Sequence, residues 1–140
     1  VMARKLYGFK ANSMNFMRKV CMHNGLGPKC AIPPNMLEKK YSIDDARSEA
    51  QLVIFDTVQR LLDKSGIKPS QIDVLVTNCS LFNPTPSLSA MVVNQFKMRS
   101  DIHSFSLGGM GCSAGAVGVD LIQSFLQNRQ NKFGLLVSTE

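Results

Sequence analysis

The pattern of apolar and polar positions sharpens at Ser42. Downstream, Ala46, Ala50, Val53, Ile54, Val58, Leu61 and Leu62 recur at spacings of three and four, which predicts an amphipathic helix reaching about Lys64. Ser42 and Asp45 have the spacing of a capping box, and Asp44 and Asp45 suit the positive end of a helix. Gly66 and Lys68-Pro69 end it. Ile72–Val76 is a short apolar run rich in β-branched residues and predicts a buried strand. Asn78–Pro86 is a polar loop punctuated by proline. Ser87 can cap a second helix with Leu88, Met91, Val92 and Phe96 on one face. His103–Leu107 predicts a weaker strand, and Gly108, Gly109 and Gly111 a tight turn. A third helix follows, with Ala116, Val119, Leu121, Ile122 and Phe125 apolar. Phe133–Val137 predicts a last strand. Upstream of Ser42 the periodicity is weak, with one short helix over Asn15–Met22 that stops at Asn24-Gly25-Leu26-Gly27-Pro28.

Strands joined through helices imply right-handed βαβ crossovers and a parallel sheet. Nearly continuous apolar strands suit a sheet covered by helices on both faces. The expected class is α/β, a parallel βαβαβ sheet over residues 42–140, preceded by a basic and largely irregular leader over residues 1–41. In such sheets ligands gather at the carboxyl ends of the strands. That places the Asn78–Pro86 loop and the Gly108–Cys112 turn on one edge.

Composition adds limits. The length of 140 residues is about one domain, and 44% hydrophobic with 19% charged residues excludes wholesale disorder. The net charge of +6 would suggest nucleic acid or a membrane surface as partner. Its distribution argues otherwise: residues 1–41 hold eight Lys/Arg against Glu38, a balance of +7, and the remainder is at −1. The basicity belongs to the leader, where the cations either form a solvated surface or meet an anionic partner. The charge-free stretch Val74–Phe96 contains Asn78, Asn83, Asn94, Gln95, Pro84 and Pro86, which argues against a transmembrane helix. The N-terminus has no apolar signal-peptide core. Val1 at one end and an apolar run before Glu140 at the other suggest that both ends are cuts.

Cys21, Cys30, Cys79 and Cys112 form no CxxC pair, and His23 and His103 are the two histidines. No metal site is expected, and the thiols read as reduced. Cys112 is the candidate for chemistry. It stands between a strand and a helix in Leu107-Gly108-Gly109-Met110-Gly111-Cys112-Ser113-Ala114-Gly115. The glycines permit a sharp turn and a close substrate approach. A helix starting there aims N–H groups and a positive dipole end at the sulfur, which favours the thiolate and can hold an oxyanion. The layout parallels a nucleophile elbow with Cys in place of Ser. The alternative is a buried structural thiol. Gly108–Gly111 matches neither a GxGxxG fingerprint nor a P-loop, so no nucleotide cofactor is expected. Cys79 reads as a core residue, Cys21 and Cys30 lack supporting context, and His103 reads as an edge histidine. Met110 can touch substrate.

The string NCSLFNPTPSLSAM over Asn78–Met91, with Ser106-Leu107-Gly108 and Gly109-Met110-Gly111-Cys112-Ser113-Ala114-Gly115, closely resembles the plant 3-ketoacyl-CoA synthases. Asn24-Gly25-Leu26-Gly27 resembles that family's Ser-Gly-Leu-Gly turn, and Val137-Ser138-Thr139-Glu140 fits as well. The resemblance runs from about Phe16 to Glu140. It implies a thiolase-like fold of two similar α/β halves, of which this chain is the first. It implies a Claisen condensation of acyl-CoA with malonyl-CoA through a cysteine thioester, giving 3-ketoacyl-CoA, CO2 and CoA in very-long-chain fatty acid elongation. Cys112 matches the family nucleophile. The family's catalytic His and Asn lie in the second half, and no residue here matches them. The resemblance also implies an endoplasmic reticulum membrane location on the cytosolic face, membrane-spanning N-terminal segments absent here, and a homodimer. Pro28-Lys29-Cys30-Ala31 departs from the acidic residue, Thr and Tyr that the family usually carries there. Two other readings stand beside this one: a truncated, inactive homologue acting as an interaction module or without function, and another thiolase-like acyltransferase such as a type III polyketide synthase.

Overall fold

The computed structural model describes residues 8–27 and 42–139. The chain divides into two compact units, Val1–Asp45 and Ala46–Glu140.

In the first unit, helix α1 spans Ala11–His23. It starts four residues before the sequence-based expectation, because Lys10 is extended and only then does the backbone turn helical. None of its residues is buried. Its apolar positions Phe16, Met17 and Val20 are 69%, 37% and 48% exposed. Pro28–Ala31, the departure from the family pattern, lies outside the described residues, as does Cys30.

Helix α2 spans Ile43–Ser65. The capping box forms as its sequence requires: Asp45 N–H donates to Ser42 Oγ at 3.1 Å and Ser42 N–H to Asp45 Oδ2 at 3.0 Å. After a 3-10 turn at Pro69–Gln71, strand β1 runs Ile72–Asn78. Helix α3 covers Leu88–Gln95, strand β2 His103–Leu107, helix α4 Ala114–Leu126 and strand β3 Phe133–Ser138. The sheet is parallel in the order β2-β1-β3, with Val76 opposite Phe105 on one side and Leu136 on the other. The central strand is the apolar run, and all seven of its residues are buried. β2 is an edge strand with alternating exposure, which explains its weaker signal.

One face of the sheet packs Leu75, Leu135 and Val137 against Ile54, Val58 and Leu62 of α2 and Leu88 and Val92 of α3. The α2 contact is narrower than its periodicity suggests. Ile54, Val58 and Leu62 form a single line at four-residue spacing, while Val53 and Leu61 of the expected stripe are 45% and 48% exposed. Helix α4 covers the other face, and here small residues make the contact. Ala114 and Gly118 are its buried positions, whereas the larger apolar Val119 is 57% exposed. A Cβ on Gly118 would lie 2.7 Å from Leu136 Cδ1, so the close helix–sheet approach selects glycine there.

Candidate active site at the carboxyl edge of the sheet

Cys112 lies in a 3-10 turn, Gly111–Ser113, which leads directly into α4. Gly109 and Gly111 take φ of 77° and 58°, a region that strains side-chain-bearing residues, so the glycines permit the sharp strand-to-helix turn. Cys112 is exposed, which removes the reading of a buried structural thiol. Ser113 Oγ donates to the Met110 carbonyl at 2.6 Å and closes the turn. Met110 is 40% exposed beside it.

The loop after β1 and the glycine turn meet, as their shared edge predicts. Gly111 N–H donates to Ser80 Oγ at 2.8 Å, across 31 residues of sequence. The loop is anchored further by Phe82 N–H donating to Cys79 Sγ at 3.2 Å and by Arg47 Nη2 donating to the Thr85 carbonyl at 3.2 Å. Cys79 itself is 3% exposed, a core thiol as expected.

Successive residues of a strand point to opposite faces, so the last residues of β1 serve two different cavities. On the α3 side, Thr77 enters a hydroxyl relay: Thr77 Oγ1 to Ser106 Oγ, Ser106 to Ser89 and Ser89 to Ser87, each 3.0 Å. Ser87 also caps α3 by accepting from Ala90 N–H at 3.2 Å. A cavity of about 90 Å³ is lined there by Thr77, Cys79, Asn83 and Ser106, among others. On the α4 side, a more open cavity of about 230 Å³ is lined by Asn78, Cys112, Ser138 and Thr139. Ser138 Oγ donates to Asn78 Oδ1 at 2.5 Å, and Thr139 N–H donates to the Asn78 carbonyl at 3.0 Å. The carboxyl ends of β1 and β3 and the start of α4 thus converge on one thiol.

The remaining candidates fall elsewhere. His103 begins β2, at the opposite end of the sheet from Cys112, and its ring rests 4.9 Å from that of Phe125. His23 Nδ1 donates to the Lys19 carbonyl at 2.7 Å within α1. Cys21 is exposed on α1. Among the described residues no His, Cys, Asp and Glu cluster could hold a metal ion. Ser138, Thr139 and Ser80 join the Cys112 site only through the tertiary structure. The rule that ligands collect at strand carboxyl ends points to the first two once β3 is placed beside β1. Ser80 carries no local signal, because its partner is distant in sequence.

A family model described as FAE1/Type III polyketide synthase-like protein matches residues 1–140. The chain is 48% identical over 133 residues to 3-ketoacyl-CoA synthase 6 of Arabidopsis thaliana, covering 94% of this chain and 27% of that protein. It is 48% identical over 134 residues to 3-ketoacyl-CoA synthase 17 of the same plant, covering 94% and 28%. Among solved structures it superposes on 1,3,6,8-tetrahydroxynaphthalene synthase of Streptomyces coelicolor A3(2), a type III polyketide synthase, with a TM-score of 0.70, 21% identity and coverage of 98% of this chain and 40% of that one. Germicidin synthase of Streptomyces coelicolor gives a TM-score of 0.63 at 14% identity, covering 98% and 33%. These structures establish the thiolase-like α/β fold. The chain spans about a quarter of the length of the relatives it matches.

Proposed function

The chain belongs to the FAE1/type III polyketide synthase-like family, and from that premise we propose that it carries the nucleophile of a 3-ketoacyl-CoA synthase. The observation that carries this reading is Cys112, exposed, at the start of α4 and facing a cavity at the carboxyl edge of a parallel sheet. The Cys112 thiolate bonds to the carbonyl carbon of an acyl-CoA thioester. The carbon–sulfur bond to CoA breaks, and CoA leaves as a thiolate that takes up the proton given up by Cys112. N–H groups at the start of α4 favour the anionic states of this exchange. In the subsequent condensation malonyl-CoA loses CO2, its carbanion attacks the Cys112 thioester, and 3-ketoacyl-CoA departs with the cysteine regenerated. The family His and Asn that assist those steps match no residue among positions 1–140, so the step assigned to these residues is the acyl transfer and not the condensation.

Incubation with palmitoyl-CoA tests this. The expected result is one acyl group on Cys112 by mass spectrometry, lost in Cys112→Ala, with no 3-ketoacyl-CoA when malonyl-CoA is added. Absence of the acyl adduct overturns the nucleophile assignment. Condensation above the Cys112→Ala control overturns the division of labour.

A second reading concerns the leader and the membrane location implied by the family. In α1, Met14, Phe16, Met17, Val20 and Cys21 fall on one arc of the helix, and Arg18, Lys19 and His23 on the other. That pattern suits an interfacial helix on anionic lipid, at the cytosolic face of the endoplasmic reticulum. Among the described residues no helix is long and apolar enough to cross a membrane. Co-sedimentation with phosphatidylserine vesicles that is lost on deleting residues 1–41 supports this contact, and unchanged binding removes it.

A further inference from the structure

Asn78 is a polar side chain only 3% exposed, placed at the carboxyl end of the central strand. Its carboxamide has two ends with different fates. The oxygen accepts from Ser138 Oγ at 2.5 Å. No described residue accepts from the nitrogen, although buried groups are paired as a rule. Yet among the described residues no fully buried polar side-chain atom is without a partner, so the Asn78 nitrogen must reach open space. The cavity that Asn78 lines is the one that Cys112 lines. Ser138 holds the oxygen end of the amide, which leaves the nitrogen end for that cavity, and Gly115 in the first turn of α4 lies against Ser138, 3.5 Å from its hydroxyl to a Cβ built there. The amide donor, its orienting hydroxyl and the helix bearing the nucleophile form one assembly.

Building on the acyl-transfer reading above, we infer that the Asn78 carboxamide N–H is a catalytic hydrogen-bond donor to the acyl oxygen during attack by Cys112, with Ser138 as its positioning residue. As the sulfur adds to the thioester carbonyl, negative charge develops on that oxygen. A donor held in place by its Ser138 hydrogen bond stabilises the charge without reorganising. Collapse of the adduct expels CoA and restores the carbonyl, and the amide keeps both of its protons throughout.

Two rates measured on the full chain separate this role from support of the fold. Acyl transfer from palmitoyl-CoA passes through the oxyanion, whereas alkylation of Cys112 by iodoacetamide does not. Asn78→Ala is expected to slow acyl transfer about 100-fold, the order seen when one oxyanion donor is removed, with alkylation within about twofold of wild type on the same grounds. Ser138→Ala frees the carboxamide and should give a smaller loss, about tenfold in acyl transfer. The Asn78→Ala/Ser138→Ala double variant removes both hydrogen-bonding partners and so leaves no orphaned hydroxyl. It decides the matter should Asn78→Ala fail to fold, and should match the 100-fold loss. Equal losses in both rates would assign Asn78 to the fold and overturn the inference, as would unchanged acyl transfer. A wild-type chain that forms no Cys112 thioester overturns the acyl-transfer reading itself, and this inference with it.

Discussion

Strand β1 buries a polar side chain near each of its ends and treats the two in opposite ways. At the amino end Asp73 is 6% exposed and saturated with partners. It accepts from Lys132 Nζ at 2.8 Å, Arg99 Nη1 at 2.9 Å and Phe133 N–H at 3.2 Å, while Arg99 also grips Asp101 at 2.8 Å. The bulge that sets Ile72 opposite Phe133 and Val74 opposite Gly134 leaves Asp73 as the extra residue, free to collect these contacts. Burial alone would push its carboxyl up, but the Lys132 and Phe133 hydrogen bonds and the two cations outweigh that and hold it below its ordinary value of 3.8. At the carboxyl end Asn78 is as deeply buried, yet its amide nitrogen is left for something else. A filled polar cluster secures the strand where no chemistry occurs. An incompletely filled one marks where a substrate completes it.

The sharpest break in this comparison is Cys112→Ala, which should abolish acyl loading while leaving the thermal transition in place, as read by mass spectrometry and circular dichroism. Next, Asp73→Asn should cost about 2 kcal/mol of stability, because a buried charged hydrogen-bond centre is lost while its partners can still reach water. Acyl loading per folded molecule should be unchanged in that variant. A parallel loss of loading would show that the two ends of the strand are not independent. The pH dependence sharpens the same point. A depressed folded-state carboxyl contributes stability that is present above its unfolded value near 3.8 and is lost as pH falls through the lower folded value. The stability gap between wild type and Asp73→Asn should therefore be constant at neutral pH and close below about pH 3.8. Urea titrations at several pH values read this directly. The smallest effect is expected from Ser80→Ala. It leaves Gly111 N–H without its acceptor, costs about 1 kcal/mol, and should slow acyl loading a few-fold by loosening the turn.

Much of the fold was legible in the linear pattern because it is periodic. His103–Leu107 emerges with both expected boundaries, and Ile72, Ser87 and Ser42 begin or cap elements as their chemistry requires. Apolar stripes were legible as helices but not in their width. Periodicity reports which residues can face a core, whereas the neighbouring element decides how many do. Hence Val53 and Leu61 stand outside the line of Ile54, Val58 and Leu62, and Ala114 and Gly118 rather than Val119 meet the sheet.

The sequence by itself determined the helix–strand alternation, the parallel α/β class, the glycine turn and the cysteine at its exit, because each rests on neighbours within a few residues. Only the tertiary structure decided what faces that cysteine. Asn78 and Ser138 line its cavity from two strands, 60 residues apart in sequence, with Thr139 just beyond the second, and Ser80 reaches its turn across 31. The parallel crossover brings those strand ends together. Alternation along β1 then sends Asn78 to the cavity that Cys112 lines and Thr77 to the opposite face.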